Sequence, residues 1–417
     1  MYKIVFFVVC IIYCVSSVPI SEPKASCIIN LDSSQRPSPS PLFFRNVPGL
    51  PFAVPRWTND VRALPVNADD SLVLLCSGSK FSNYDTDQVI ATCVSGTKFS
   101  VNGEEVSFSS LSCDSTVRDV AVRTGGICEG GLLEAVVAFE SNYGNLPNLE
   151  SNQRVMITIC HDSSIAGTFY EKHVLNGGGV LAKDKDSSRP SFREGDFYPQ
   201  FTTMSVNTAY TQKQQEITVE DILGSSSLAG DYIRPEDNVF LSRGHLAPDA
   251  DFCWYQGQDA TYWFLNVAPQ WQVFNGGNWV QIETEVRGYA IDRDRDVTVY
   301  TGTHQIAQLA DENDADKDIH LYIDAAEPLL PVPRLFWKIL HDEVENTAVA
   351  FVGINNPHLQ AIPDDYIICN SVCDQISFVT WDITDILKGY TYCCTTQELK
   401  SAIPLVPELG NVGLLTG

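Results

Sequence analysis

Thirteen cysteines constrain this chain more than any other feature. Two of them, Cys10 and Cys14, fall in the apolar run Ile4-Val5-Phe6-Phe7-Val8-Val9-Cys10-Ile11-Ile12-Tyr13-Cys14-Val15, which follows Lys3 and ends at Ser16-Ser17. A basic residue, a short apolar stretch and small residues make the pattern of a signal peptide, expected to span residues 1–17 with cleavage near Ser17. The run is shorter than the roughly 20 residues a bilayer span needs, and no later stretch comes closer. A secreted, extracellular protein without membrane association is therefore expected. The other cysteines then sit in an oxidising compartment where disulfides persist, and their odd number leaves one unpaired or paired between chains.

Cys27, Cys76, Cys93, Cys113, Cys128 and Cys160 precede residue 161, whereas Cys253, Cys369, Cys373, Cys393 and Cys394 follow it. That grouping predicts two separately stapled units. The spacing of Cys369, Cys373 and the Cys393-Cys394 pair also admits zinc, but in an exported chain disulfides are the expectation. A chain of 417 residues exceeds the size at which single cores usually divide. The expected division is a β-rich, disulfide-stapled domain of unknown role at residues 18–160 and a second domain at 161–417.

In the first half, Arg36-Pro37-Ser38-Pro39-Ser40-Pro41 reads as extended linker. Leu72–Leu75 reads as a strand, and Lys98–Val101 joins Val106–Phe108 through Asn102-Gly103, a strong hairpin signal. In the second half, Asp296–Gly302 and Ala348–Gly353 have strand composition. Trp279, Val280, Ile282, Val286 and Tyr289 mark an amphipathic helix over 277–289. The second domain is thus expected to be α+β with an antiparallel sheet. Asp311–Asp318 lacks the central glycine and terminal glutamate of a calcium loop and reads as solvated.

The formal charge of −25 excludes a protein that coats nucleic acid by bulk electrostatics, which requires clustered Lys and Arg. Most of the acidity lies beyond residue 160. Chemistry on a polyanion would need a local site strong enough to outweigh that field.

Three segments between Leu241 and Arg287 carry such a site. Ser242-Arg243-Gly244-His245-Leu246-Ala247-Pro248 precedes Asn266-Val267-Ala268-Pro269-Gln270, and Asn275-Gly276-Gly277-Asn278-Trp279 then leads to Glu283. Phosphodiester hydrolysis needs a base for the attacking water, a cation against charge growing on the phosphoryl oxygens, and stabilisation of the leaving oxygen. His245 can be the base, and Arg243 can meet a phosphate through its guanidinium fork. Asn275 offers a neutral oxygen to a hard cation, Mg²⁺ or another divalent ion such as Mn²⁺. On a continuous helix, Asn275 and Glu283 are separated by about 12 Å of rise and roughly 80° of rotation, so both are not expected to ligate one ion. Glu283 is expected to act through the ion's water shell.

These segments resemble the DNA/RNA non-specific endonucleases, a ββα-metal family that includes endonuclease G and secreted arthropod nucleases. The family's motifs correspond to Arg243-Gly244-His245, to Asn266 with Pro269 and Gln270, and to Asn275, Trp279 and Glu283. Tyr300-Thr301-Gly302 and Pro333-Arg334-Leu335-Phe336-Trp337-Lys338 extend the likeness over residues from about 165 to 400. The resemblance implies a ββα-metal nuclease domain, with catalytic roles for His245, Arg243, Asn266 and Glu283. It further implies substrate contacts from Arg243, Gln270 and Arg189, and metal binding by Asn275. Arg189 is similar to the family's upstream substrate arginine, with Arg193 competing for that place. Ser242 stands where the family most often has Asp, and the lost carboxylate would lower the basicity of the base or loosen its orientation.

The function so implied is a metal-dependent, sugar-non-specific endonuclease acting on DNA, RNA or both, double-stranded RNA among them. It would leave 5′-phosphate ends and need no obligate protein partner. Two other readings stay open: a secreted nucleic-acid-binding protein inactivated through Ser242, and a phosphodiesterase for small molecules. Blander roles stay open for single residues. Asn275 can cap a helix, Asn266 and Gln270 can satisfy buried backbone groups, and Trp279 is expected in the core. His161, His173, His304, His320, His341 and His358 lack partner motifs and are expected to be structural or exposed.

Overall fold

The computed structural model describes residues 26–58, 60–185, 189–324 and 327–417, so the expected leader lies outside the described residues. A nine-stranded sheet forms the centre. Eight strands run antiparallel in the order Thr391–Cys394, Thr347–Ile354, Pro333–Asp342, Asp296–Ile306, Gly167–Asn176, Gln153–Asp162, Leu133–Glu140 and Val120–Ile127. The short Gly413–Leu414 pairs in parallel with Thr347–Ile354.

The middle of this sheet is buried on both faces. Along Pro333–Asp342, Phe336 and Leu340 enter one core, and Leu335, Trp337 and Ile339 enter the other. Val349 and Phe351 alternate with Ala348, Ala350 and Val352 in the same way. A strand covered on both sides reads as an unbroken apolar run, which is what Ala348–Gly353 shows. The same alternation separates the neighbouring cysteines: Cys393 enters the first core and bonds Cys373, while Cys394 enters the second and bonds Cys369. Tyr366, Leu399, Ile403 and Val406 from the C-terminal segment cover the second face. The α+β expectation is met.

The N-terminal part holds a five-stranded antiparallel sheet in the order Leu42–Arg45, Ser71–Leu75, Gln88–Ser95, Lys98–Val101 and Glu104–Ser107. Its last hairpin turns at Asn102 and Gly103, both at positive φ (53° and 85°), the conformation a two-residue I′ turn requires. Disulfides join Cys27–Cys93, Cys76–Cys113 and Cys128–Cys160, and Cys253 is free and buried. Every disulfide thus stays within one of the two expected groups.

The sheet, however, does not divide where the cysteines do. Residues 160 and 161 both lie inside Gln153–Asp162, and two further strands on its N-terminal side continue the same ladder. Cysteine grouping reports covalent staples, whereas the boundary is set by backbone hydrogen bonds. The expected linker at 36–41 is also docked on the second half. Arg36 meets Asp184 at 2.8 Å and Arg62 joins it, while Gln256 Nε2 donates to the Ser40 carbonyl at 3.0 Å. Burial would raise the Asp184 carboxyl, yet the two guanidiniums hold it below the usual carboxylate range. Trp254 Nε1 donates to the Ala53 carbonyl at 2.9 Å. Among the described residues no helix is long and apolar enough to cross a membrane.

A chain beginning at His161 would lack Val120–Ile127, Leu133–Glu140 and most of Gln153–Asp162, leaving Gly167–Asn176 as an open edge. It is expected to be insoluble, or to lose the cooperative thermal transition of the parent in circular dichroism. A soluble, cooperatively melting fragment would show that these strands are not needed by the fold.

Candidate active site

Strand Leu241–His245 pairs antiparallel with Val267–Trp271, placing Ser242 opposite Gln270 and His245 opposite Val267. The short Gln272–Phe274 and a wide turn at Asn275–Trp279 then lead into the helix Val280–Arg293. Gly277 breaks the helical path at φ −99° and ψ −119°. The Lys388 carbonyl oxygen lies 2.7 Å from where a Cβ on Gly277 would stand, so a side chain there would force this turn away from its neighbour. The helix expected from 277 therefore begins at Val280, and the rise and rotation of a continuous helix do not apply between Asn275 and Glu283. Ile282, Val286, Tyr289 and Ala290 face the core as the periodicity predicts.

The ring of His245 is held between Phe192 and Tyr262, with centroids 5.2 and 5.1 Å away. Its Nε2 is buried with no hydrogen-bond partner among the described residues. Burial pushes the imidazole pKa down to about 4, Asp249 opposing and Arg189 adding to the shift. His245 is therefore neutral at pH 7, the state a proton acceptor needs.

Ser242 occupies the place of the expected carboxylate as a bridge. Its hydroxyl donates to the Gln270 carbonyl at 2.9 Å and accepts from Asn275 Nδ2 at 3.1 Å. With Nδ2 engaged, Oδ1 is the Asn275 atom left to bind a cation. Gln270 is fully buried, and both its amide atoms lack partners among the described residues. Its side chain fills the space over Gly244, where a Cβ would collide with it. Asn266 does not face the site. Its Oδ1 accepts from Ala247 N at 3.0 Å, and its Nδ2 donates to the carbonyls of Ala247 (2.8 Å) and Thr261 (3.0 Å). It latches the chain leaving His245, because a buried amide settles where backbone groups can satisfy it.

Arg243 stacks over Tyr210 at 5.2 Å and Phe192 at 5.6 Å, and its Nη2 donates to Asn207 Oδ1 at 2.7 Å. Its Nε is buried without a partner among the described residues. Of the two candidate arginines upstream, Arg193 is taken up by Asp119 at 2.8 Å, while Arg189 is exposed and its charge is felt at His245. The structure thus gathers His245 and Arg243 around Phe192, joins Asn275 to the same hairpin through Ser242, and engages Asn266 with the backbone of Ala247 and Thr261.

The sequence model of the DNA/RNA non-specific endonuclease family matches residues 141–399. This chain belongs to that family. It is 30% identical to a salivary endonuclease of Lutzomyia longipalpis over 347 residues, covering 82% of this chain and 75% of the relative. It is 21% identical to the salivary protein Tsal1 of Glossina morsitans morsitans, with 93% of each chain covered. A solved EndoG/EndoGI complex aligns with 50% of this chain and 75% of its own at 19% identity and a TM-score of 0.33, too loose for residue-by-residue comparison.

The nuclease holds further charged groups that motif reading passed over. Asp249 accepts from the Tyr262 hydroxyl at 3.1 Å, and its charge acts on both His245 and Glu283. Burial lifts the Glu283 carboxyl to about 7, with Lys338 and Arg287 opposing and Asp251 and Asp249 adding. Such an oxygen-rich, over-negative pocket fits a hard divalent cation. Among the described residues no group of three or more His, Cys, Asp or Glu side chains is arranged to hold a metal ion.

Behind this pocket, His173 is buried between two carboxylates, with Nδ1 2.8 Å from Glu171 and Nε2 3.1 Å from Asp251. Asp251 also accepts from Arg287 at 2.9 Å, one helical turn beyond Glu283. The carboxylates of Pro248-Asp249-Ala250-Asp251, close after His245, were the signal available in the sequence. His173 carried none, because its partners come from the neighbouring side chain of its own strand and from a loop 78 residues away.

Burial alone would lower the His173 pKa, but Glu171 and Asp251 overcome it and raise it to about 9. The folded value exceeds the unfolded one near 6.5, so this stabilisation is complete below about pH 6.5 and is lost as pH rises through about 9. The urea midpoint of the parent is expected to fall between pH 7 and 10. His173→Gln is expected to lose about 3–5 kcal/mol near pH 7, since it takes the charged partner from buried Glu171 and leaves Asp251 with Arg287 alone, and to lack that alkaline decline. A parent midpoint flat across this range would contradict a protonated His173.

Proposed function

We propose that this nuclease hydrolyses phosphodiester bonds in DNA, RNA or both, duplex RNA included, and that it leaves 5′-phosphate ends. The observation that carries this reading is His245, a neutral histidine with a buried, unpartnered Nε2 fixed between two aromatic rings. In this reading His245 accepts a proton from the attacking water. Arg189 and Arg243 bind phosphate, the latter with its plane set by Tyr210 and Phe192. Gln270, with its amide unsatisfied, contributes to substrate binding, and Asn266 positions the base from behind.

The donor set supports a divalent cation, Mg²⁺ or Mn²⁺, held by Asn275 Oδ1 with Glu283 behind its hydration shell. When bound, that ion supplies charge neutralisation at the phosphoryl and leaving oxygens. The names of the salivary relatives, the leader pattern and five disulfides among the described residues support export from the cell.

Matched single- and double-stranded DNA and RNA should be digested by the purified chain with Mg²⁺, and digestion should stop with EDTA. End-labelling of the products reads the position of the phosphate. His245→Ala is expected to lose about 10²–10⁴ in rate while still binding substrate. Asn275→Ala should recover part of its rate as Mg²⁺ is raised, Glu283→Ala should behave as a milder version, and Arg243→Lys should be damaging because a point charge does not replace the fork. Since His245 is neutral down to about pH 4, the acid limb of kcat/KM should lie well below pH 6.5. Recovery of His245→Ala, but not of Asn275→Ala, with added Mg²⁺ would reverse the two roles.

A further inference from the structure

The first two strands of the central sheet lie before residue 141, where the match to the family begins. Two charged residues at the start of Val120–Ile127 reach into the nuclease. Asp119, 6% exposed in its side chain, takes Arg193 Nη2 with both oxygens at 3.0 and 2.8 Å and accepts from Trp263 Nε1 at 2.6 Å. Arg193 in turn lies flat over the Trp263 ring at 4.1 Å. Four residues on, Arg123 donates to Asp196 Oδ2 at 2.8 Å and to its carbonyl at 3.0 Å, with its guanidinium 4.4 Å from the Phe197 ring centroid.

The two ion pairs have opposite sense and grip the same segment, 193–197. That segment is also hydrogen-bonded to the chain entering the site hairpin, Arg193 N to the Tyr262 carbonyl at 3.0 Å and Phe264 N to the Arg193 carbonyl at 2.9 Å. Phe192, the adjacent residue, touches both the His245 ring and the Arg243 guanidinium. Arg189 lies three residues further back, and its charge is felt at His245.

We infer that Asp119 and Arg123 are positioning residues for substrate binding. From outside the family-matched region they hold the 189–197 arm so that Arg189 and Phe192 stand at the base. This rests on the reading of Arg189 as a phosphate contact. One core cluster draws buried residues from both halves, whereas Asp119 acts on the arm through Arg193 and on the chain entering the hairpin through Trp263. Its loss therefore weakens the grip on substrate more than it disturbs proton transfer at His245, whose ring Tyr262 also holds.

The test is steady-state cleavage of a fluorophore-labelled DNA duplex, and of an RNA duplex of the same sequence, by the full mature chain with Mg²⁺. Asp119→Ala is expected to raise KM roughly tenfold with kcat within about twofold of the parent, the pattern of lost binding without lost chemistry. Combined with Arg189→Ala, it should add less than about twofold, because two residues acting through one contact are not additive. Asp119→Asn keeps an acceptor for Trp263 but not the charge on Arg193, and should raise KM roughly threefold. If Asp119→Ala does not fold, Asp119→Asn decides the matter. A parental KM in the folded variant, or Asp119 and Arg189 effects that multiply, would overturn the inference. A parent that cuts neither duplex would instead remove the proposed function on which it stands.

Discussion

The carboxylate of Asp251 is the joint on which the site depends. It is 3% exposed and lies between His173 on the central sheet and Arg287 on the helix that carries Glu283. A buried carboxylate is tolerable only when its oxygens are satisfied, and here one takes the imidazole and the other the guanidinium. Asp251 is also six residues past His245, at the end of the short turn Asp249–Asp251. One group thereby ties three elements together: the sheet, the loop leaving the base and the helix bearing the acid. Displacing any of them leaves a charge without a partner, so their spacing is held more firmly than apolar contact alone would hold it.

That joint also explains how so acidic a protein can act on a polyanion. At physiological ionic strength the field of distant surface carboxylates is screened over about 8 Å. Pairs inside the site are screened much less. On the proposed reading, a phosphate at the chemistry would meet Arg189, Arg243, Arg287 and Lys338 and any bound cation, against Asp249, Asp251 and Glu283. The net charge of −25 acts mainly on encounter, slowing association and making it sensitive to salt. Two of the cations are stiffened as well as placed. Arg243 is stacked on aromatic rings, and Lys338 is fully buried with Nζ 3.3 Å from the Leu246 carbonyl.

What the sequence disclosed, and what it hid, follows from the range of the interactions. The Asn102-Gly103 hairpin, the helix face through Ile282, Val286 and Tyr289, and the apolar strand near Ala350 depend on neighbours a few residues away, and were legible. His245, Arg243 and Asn275 stood out because residue types suited to phosphodiester chemistry cluster within a short stretch of chain. His173 was not, since its meaning comes from Asp251 in a distant loop. For Asn266 the sequence left both a site role and backbone satisfaction open, because a motif does not say which way an amide faces; its side chain meets backbone groups of Ala247 and Thr261. The break at Gly277 was hidden because helical periodicity resumes at Val280 and masks the turn before it. Ser242 looked like a loss by comparison with Asp. In place, its hydroxyl bridges the Gln270 carbonyl and Asn275 Nδ2, tying Asn275 to the hairpin.

The division between the halves shows the same principle at larger scale. Cysteines grouped cleanly about residue 160, yet the hydrogen-bonded ladder runs through that point to Val120–Ile127. A sheet that stopped at Gln153–Asp162 would present a long open edge, the feature that invites pairing between chains. Here Leu133–Glu140 covers that edge, and the last strand ends it: most of Val120–Ile127 is exposed, it carries Arg123, and it passes through Gly125 at φ 78° and Gly126. A charged, glycine-containing strand is a poor template for further pairing. Its charges are nonetheless engaged, because Arg123 and the preceding Asp119 turn inward onto Asp196 and Arg193. The residues that end the sheet are therefore also those that hold the arm beside His245, and a change made to protect the edge would be felt at the site.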